Sequence, residues 1–241
     1  MRIPPRFAQV IAVAALPLAL AACSPGSSGS SDSTASAKQP QAKNPNAGLV
    51  TGTQLKKALA PASVFPSNLS AVSDGFSDSG DEFASPASRD TAKPDCTKFE
   101  NTTWLDVSGF KGGVSFAQGE YANTDETEEM VEEIDVFQGT TADTVMREIR
   151  AAAGSCATFT DLNDHSKVKL SGSTTSGLGD DAYTMTMTSG HWDNGTTLVA
   201  ARVGNAVATV TSTAGTDNGA ANAAKLAGHL VDSLKAAGAK G

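Results

Sequence analysis

Residues 181–188 alternate strictly, with Tyr183, Met185 and Met187 on one side and Thr184, Thr186 and Thr188 on the other. A period of two predicts a strand with one buried row. The opposite row of threonines faces solvent or a cavity. Strand patterns also occupy residues 114–121, 131–137 and 167–171, the first two joined through the acidic turn 125–129. Residues 197–203 and 206–211 are linked by Gly204-Asn205, a two-residue connection suited to a primed hairpin turn.

The period changes to that of a helix in three places. In residues 220–237 the positions Ala223, Leu226, Ala227, Leu230 and Leu234 form one apolar stripe. Val145, Met146, Ile149 and Ala152 do the same before Gly154, with Thr140 and Asp143 spaced as a variant capping box. Residues 51–60 predict a short helix capped by Thr51 or Thr53 and stopped by Pro61. Residues 61–94 read as loop, and 95–101 as a helical turn carrying Cys96 and Phe99. Hairpins with helices between and after them predict an α+β fold: a mainly antiparallel β-sheet with helices packed on one face, in a single domain.

The start of the chain follows another logic. Arg2 and Arg6 precede an apolar run from about Phe7 to Leu20, which ends in Leu20-Ala21-Ala22-Cys23. That is the pattern of a bacterial lipoprotein signal peptide, and the run falls short of the roughly 20 apolar residues a membrane span needs. Residues 1–22 are expected to be removed, and Cys23 to carry lipid. Residues 23–47, rich in Ser, Gly, Ala and Pro, bury too little apolar surface to offset chain entropy and are expected to form a disordered tether. Residues 48–241 would be the domain, held by the lipid on Cys23 to the outer face of the cytoplasmic membrane.

A net charge of -8 argues against nucleic acid as a partner, because like charges repel. With Cys23 lipidated, Cys96 and Cys156 remain, and an even remainder in an oxidising compartment predicts one disulfide. Candidate chemistry is sparse. Ser108-Gly109-Phe110-Lys111 fits Ser-x-x-Lys without its partner motifs, and residues 177–182 form a glycine-containing turn that opens a strand, not a helix. Asp125, Glu126, Glu128 and Glu129, and Asp161, Asn163 and Asp164, are acidic loops without the EF-hand spacing. His165, His191 and His229 are scattered singly. No catalytic residue, cofactor or metal site is expected. Thr184, Thr186 and Arg202 are the candidate ligand-facing residues, with Trp192 at the rim.

Several segments carry a family likeness: Cys96 followed by Trp104, the run from Ala151 through Cys156 to Phe159, Gly177-Leu178-Gly179-Asp180-Asp181-Ala182, Arg202-Val203-Gly204-Asn205, and the closing helix. Over residues 48–238 or so, the chain resembles the extracellular sensor domain of PknH-like receptor Ser/Thr kinases of actinobacteria, and free-standing lipoproteins with that domain. The resemblance implies a twisted antiparallel sheet with a ligand cleft and no catalytic role. Those kinases typically carry two disulfides, whereas one cysteine pair is available here, and this chain holds no kinase or transmembrane segment. The expected function is a lipid-anchored extracytoplasmic sensor or ligand-binding domain, its partner an unidentified small ligand or an envelope protein. An envelope-associated hydrolase and a structural protein-interaction module are the alternatives.

Overall fold

The computed structural model describes residues 44–86, 88–100 and 104–239. The proposed signal peptide, Cys23 and most of the tether lie outside the described residues. From Pro45 to Ala239 the described chain belongs to one compact unit. The expected boundary at residue 48 falls inside a turn, where Gln138 Nε2 donates to Asn46 Oδ1 at 2.5 Å.

All pairings are antiparallel, in one sheet. Its strands are β1 (Ser70–Ala71), β2 (Ser77–Asp78), β3 (Ser115–Ala122), β4 (Glu129–Val136), β5 (Thr158–Thr160), β6 (Lys167–Thr174), β7 (Asp181–Ser189), β8 (Thr196–Val203) and β9 (Ala206–Ser212). The order across the sheet is β1-β3-β4-β9-β8-β7-β6-β5, with β2 also on β3. The last five strands make a meander, and its final strand returns to pair with β4. The Gly204-Asn205 turn forms as expected, with Gly204 alone left-handed (φ 59°), as in a primed turn with glycine first.

Among the described residues three α-helices accompany the sheet: α1 (Gly52–Lys56), α2 (Thr141–Ser155) and α3 (Ala220–Ala236). The α+β class and the antiparallel sheet follow the sequence pattern. The expectation of helices on one face is corrected: they are divided between two. Leu226, Leu230 and Leu234 of α3, with Leu55 of α1, pack on Val199, Ala201 and Val203 of β8 and Ala208 and Val210 of β9. Val145, Met146 and Ile149 of α2 pack with Leu198 and Ala200 of β8, Val207 of β9, and Met185. Neighbouring residues of β8 thus enter opposite cores. An uninterrupted apolar run at Leu198–Ala201, written with no polar alternate, is what a strand covered on both sides requires.

Local details follow the chain's chemistry. Thr51 caps α1 through a complete capping box with Gln54: the Gln54 N–H donates to Thr51 Oγ1 and the Thr51 N–H to Gln54 Oε1. At α2 the expected box is absent, since Thr140 makes no side-chain cap. Asp143 is instead drawn to Arg202 Nε at 3.2 Å. Gly219 begins α3 with φ 78°, and a Cβ there would run into the Ser212 carbonyl. Cys96 and Cys156 are joined, with Cα atoms 5.4 Å apart. The link ties the 3₁₀ turn Cys96–Glu100 to the C-cap of α2.

Candidate functional site

Helix α2 covers only part of its face of the sheet. At the end it does not reach, four adjacent strands form the floor of a cavity of about 470 Å³. Register explains the floor. Val131 stands opposite Thr211, Thr196 opposite Met187, and Glu129 is tied to Thr213, whose N–H donates to the Glu129 carbonyl while its Oγ1 accepts the Glu129 N–H at 2.8 Å. Side chains directly opposed across antiparallel strands share a face, so β4, β9, β8 and β7 each deliver a residue to it.

Three loops raise the walls. The turn Cys96–Glu100 supplies Phe99 and Glu100, the β3–β4 turn supplies Asp125, Glu126 and Thr127, and the β7–β8 turn supplies Trp192, Asp193 and Asn194. Each wall is braced. Asn123 Oδ1 accepts the N–H groups of Thr127 and Glu128, and the amide of Asn194 donates to the carbonyls of Thr213 and Gly215. Phe99 is fully buried and stacks on Trp104, while the disulfide anchors the start of its turn. The volume lies within the range of small-molecule sites, roughly 300–1,000 Å³, and the lining mixes aromatic, aliphatic and polar groups as such sites do.

The electrostatics are one-sided. Glu100, Asp125, Glu126, Glu129 and Asp193 line the cavity, with no Lys, Arg or His among the lining residues. Burial pushes Glu129 up to about 7, and the charges of Glu120 and Glu126 add to the effect. Burial likewise pushes Glu100 up to about 7; Asp161, Asp164 and Asp95 contribute, against an opposing hydrogen bond from the Leu162 N–H. Glu100 Oε1 and Glu129 Oε1 are shielded from solvent without a hydrogen-bond partner among the described residues. A buried carboxyl oxygen left unpaired is costly, and an incoming donor would relieve it.

The structure separates the four residues expected to face a ligand. Trp192 lines the cavity. Thr184 and Thr186 pair with Val199 and Thr197, which puts them on the opposite, α3 face, where Thr184 Oγ1 is bonded to Thr175 Oγ1 at 2.6 Å. Arg202 shares the α2 face but is held at its far end by Asp143, Asp180 and the Gly204 carbonyl. The four therefore do not form one site. None of the three histidines lines the cavity; exposed His191 lies 3.9 Å from Asp164. Buried Ser108 accepts the Phe110 N–H within a turn, and Asp180 receives the Gly204 N–H, so both glycine-containing motifs are structural turns.

Sequence reasoning passed over Glu100, Phe99, Thr196, Thr211 and Thr213 as site residues, and weighed Glu129 only as part of the acidic turn. Glu129 carried a signal: it stands at the start of a strand, one residue from Met130, where a side chain points to a face of the sheet and not along a solvated turn. Among the described residues no three His, Cys, Asp or Glu side chains converge as metal ligands. Nor is any described helix long and apolar enough to cross a membrane. A scan of known protein families finds no model that matches this chain, and no curated protein is significantly similar to it. The fold and cavity define an α+β domain built on one antiparallel sheet, with an acidic, tryptophan-edged bowl at one end.

Proposed function

We propose that the chain is a lipid-anchored extracytoplasmic ligand-binding domain, serving as a sensor without catalytic activity of its own. The cavity carries this reading: a preformed bowl with Trp192 as an apolar wall, backed by buried Phe99 and Met187, and part-buried carboxyls as polar contacts. Export and anchoring are supported by Arg2, Arg6 and the Leu20-Ala21-Ala22-Cys23 sequence, and are in keeping with the Cys96–Cys156 disulfide. The likeness to PknH-like sensor domains points the same way.

An interaction module would present a broad apolar patch. Among the described residues the large exposed hydrophobics are Phe76, set against Tyr121, and Leu162, in the loop beside Glu100. The cavity therefore favours a small ligand over a docked protein. Mass spectrometry of protein purified from its native membrane tests the proposal. Diacylated Cys23 at the new N-terminus and a co-purifying small molecule are expected; an unprocessed chain with free thiols in the cytosol would overturn it.

A further inference from the structure

The lining of the cavity restricts what it can hold. Five carboxyl groups and no cationic side chain exclude an anionic guest, which would meet repulsion on every wall. The acids fall into two poles on different elements. Glu100 sits on the disulfide-linked turn with Asp95, Asp161 and Asp164 as its charged neighbours; Glu129 opens β4 with Glu120 and Glu126 as its own. Each pole carries a solvent-shielded, unpartnered carboxyl oxygen. The accessible remainder of the lining includes Trp192 and the methyl groups of Thr196, Thr211 and Thr213, which suit methylene groups, and an indole face also attracts ammonium. A hard metal ion would need oxygens converging on one point, and the described residues offer no such cluster.

We propose that the bowl takes a small aliphatic di- or polyamine, with separate ammonium groups paired to Glu100 and Glu129 and the methylene chain lying along Trp192 and the threonine floor. This rests on the ligand-binding reading above. An ammonium supplies the donor that Oε1 of each carboxyl lacks, and its positive charge offsets their burial. Two poles favour a ligand with two charged ends over a monoamine.

Isothermal titration of the full chain in detergent, with spermidine and 1,4-diaminobutane as probes, tests this. Butylamine, 1,4-butanediol, succinate and Ca²⁺ serve as comparisons. Spermidine is expected to bind at least tenfold more tightly than butylamine, with no heat from butanediol or succinate. Glu100→Gln and Glu129→Gln should each weaken spermidine tenfold or more, while circular dichroism melts show both variants folded. Thr211→Trp, which fills the floor, should abolish binding.

Amine binding indifferent to both Gln variants would overturn the proposal. So would Ca²⁺ binding that depends on the same two carboxyls. If a neutral or anionic compound from a wider panel binds instead and Thr211→Trp removes it, the polyamine assignment falls and the ligand-binding reading stands. If nothing in such a panel binds and nothing co-purifies from the membrane, both fall.

Discussion

The two faces of the sheet are built from alternate residues of the same strands, yet they end differently. On one face α3 lies over β8 and β9, α1 covers β3, and the interface closes with small side chains such as Ala201, Ala208, Ala223 and Ala227. On the other, α2 packs over β6 to β9 and stops short, leaving Thr196, Thr211 and Thr213 to floor a bowl. A face sealed by a helix stabilises; a face sealed along part of its length can also host. The difference lies in where the covering helix ends and in which side chains follow it, mainly apolar under α2, with hydroxyls and carboxyls joining Val131 and Met187 beyond it.

That contrast can be broken most severely at the disulfide. Replacing Cys96 and Cys156 by Ser should lower stability by about 4 kcal/mol, the loop-entropy value for roughly 60 enclosed residues, with the loss read from denaturant midpoints. Next comes the sealed face: Leu230→Ala in α3, a fully buried position, should cost about 3 kcal/mol in the same measurement.

A subtler break uses Glu132, fully buried on the α3 face, where its Oε2 accepts the Ala60 N–H at 2.9 Å. Burial pushes its carboxyl up to about 8, against that opposing hydrogen bond. The folded state therefore holds a proton that the unfolded chain releases near pH 4.5. Its stabilising effect is complete below that value and is lost as pH rises toward 8. Glu132→Gln keeps an acceptor for Ala60 and should flatten this fall, raising stability at pH 8 by about 2 kcal/mol in melts compared at pH 5 and pH 8. The smallest effect is expected on the open face. Trp192→Ala, at the edge of the bowl, should change stability by about 1 kcal/mol or less while weakening any ligand of the cavity about tenfold.

The elements most legible from sequence were those whose pattern is local. The Thr/Met alternation of β7, the Gly204-Asn205 hairpin and the leucine stripe of α3 all lie where periodicity puts them. Strands β1, β2 and β5 were not legible, because two or three residues carry no period. The division of helices between faces was written in the run Leu198–Ala201, which alternation alone does not explain. The bowl was the least legible part. Its two buried carboxyls stand 29 residues apart in sequence and become neighbours of one cavity only through the β4–β9 pairing and the placement of the turn Cys96–Glu100. Trp192 was the single anticipated rim residue that reached it. Arg202, equally suggestive in sequence, is spent on Asp143 and Asp180, whose carboxylates lie in the nearby α2 and turn.

The bond between Cys96 and Cys156 fastens the segment bearing Phe99 and Glu100 to the helix exit, so oxidation acts as a latch on one side of the binding bowl. Under reducing conditions that latch opens while the strands of the floor keep their pairing. The shape of that wall thereby answers to the redox state of its surroundings, while the floor, made by paired strands, does not.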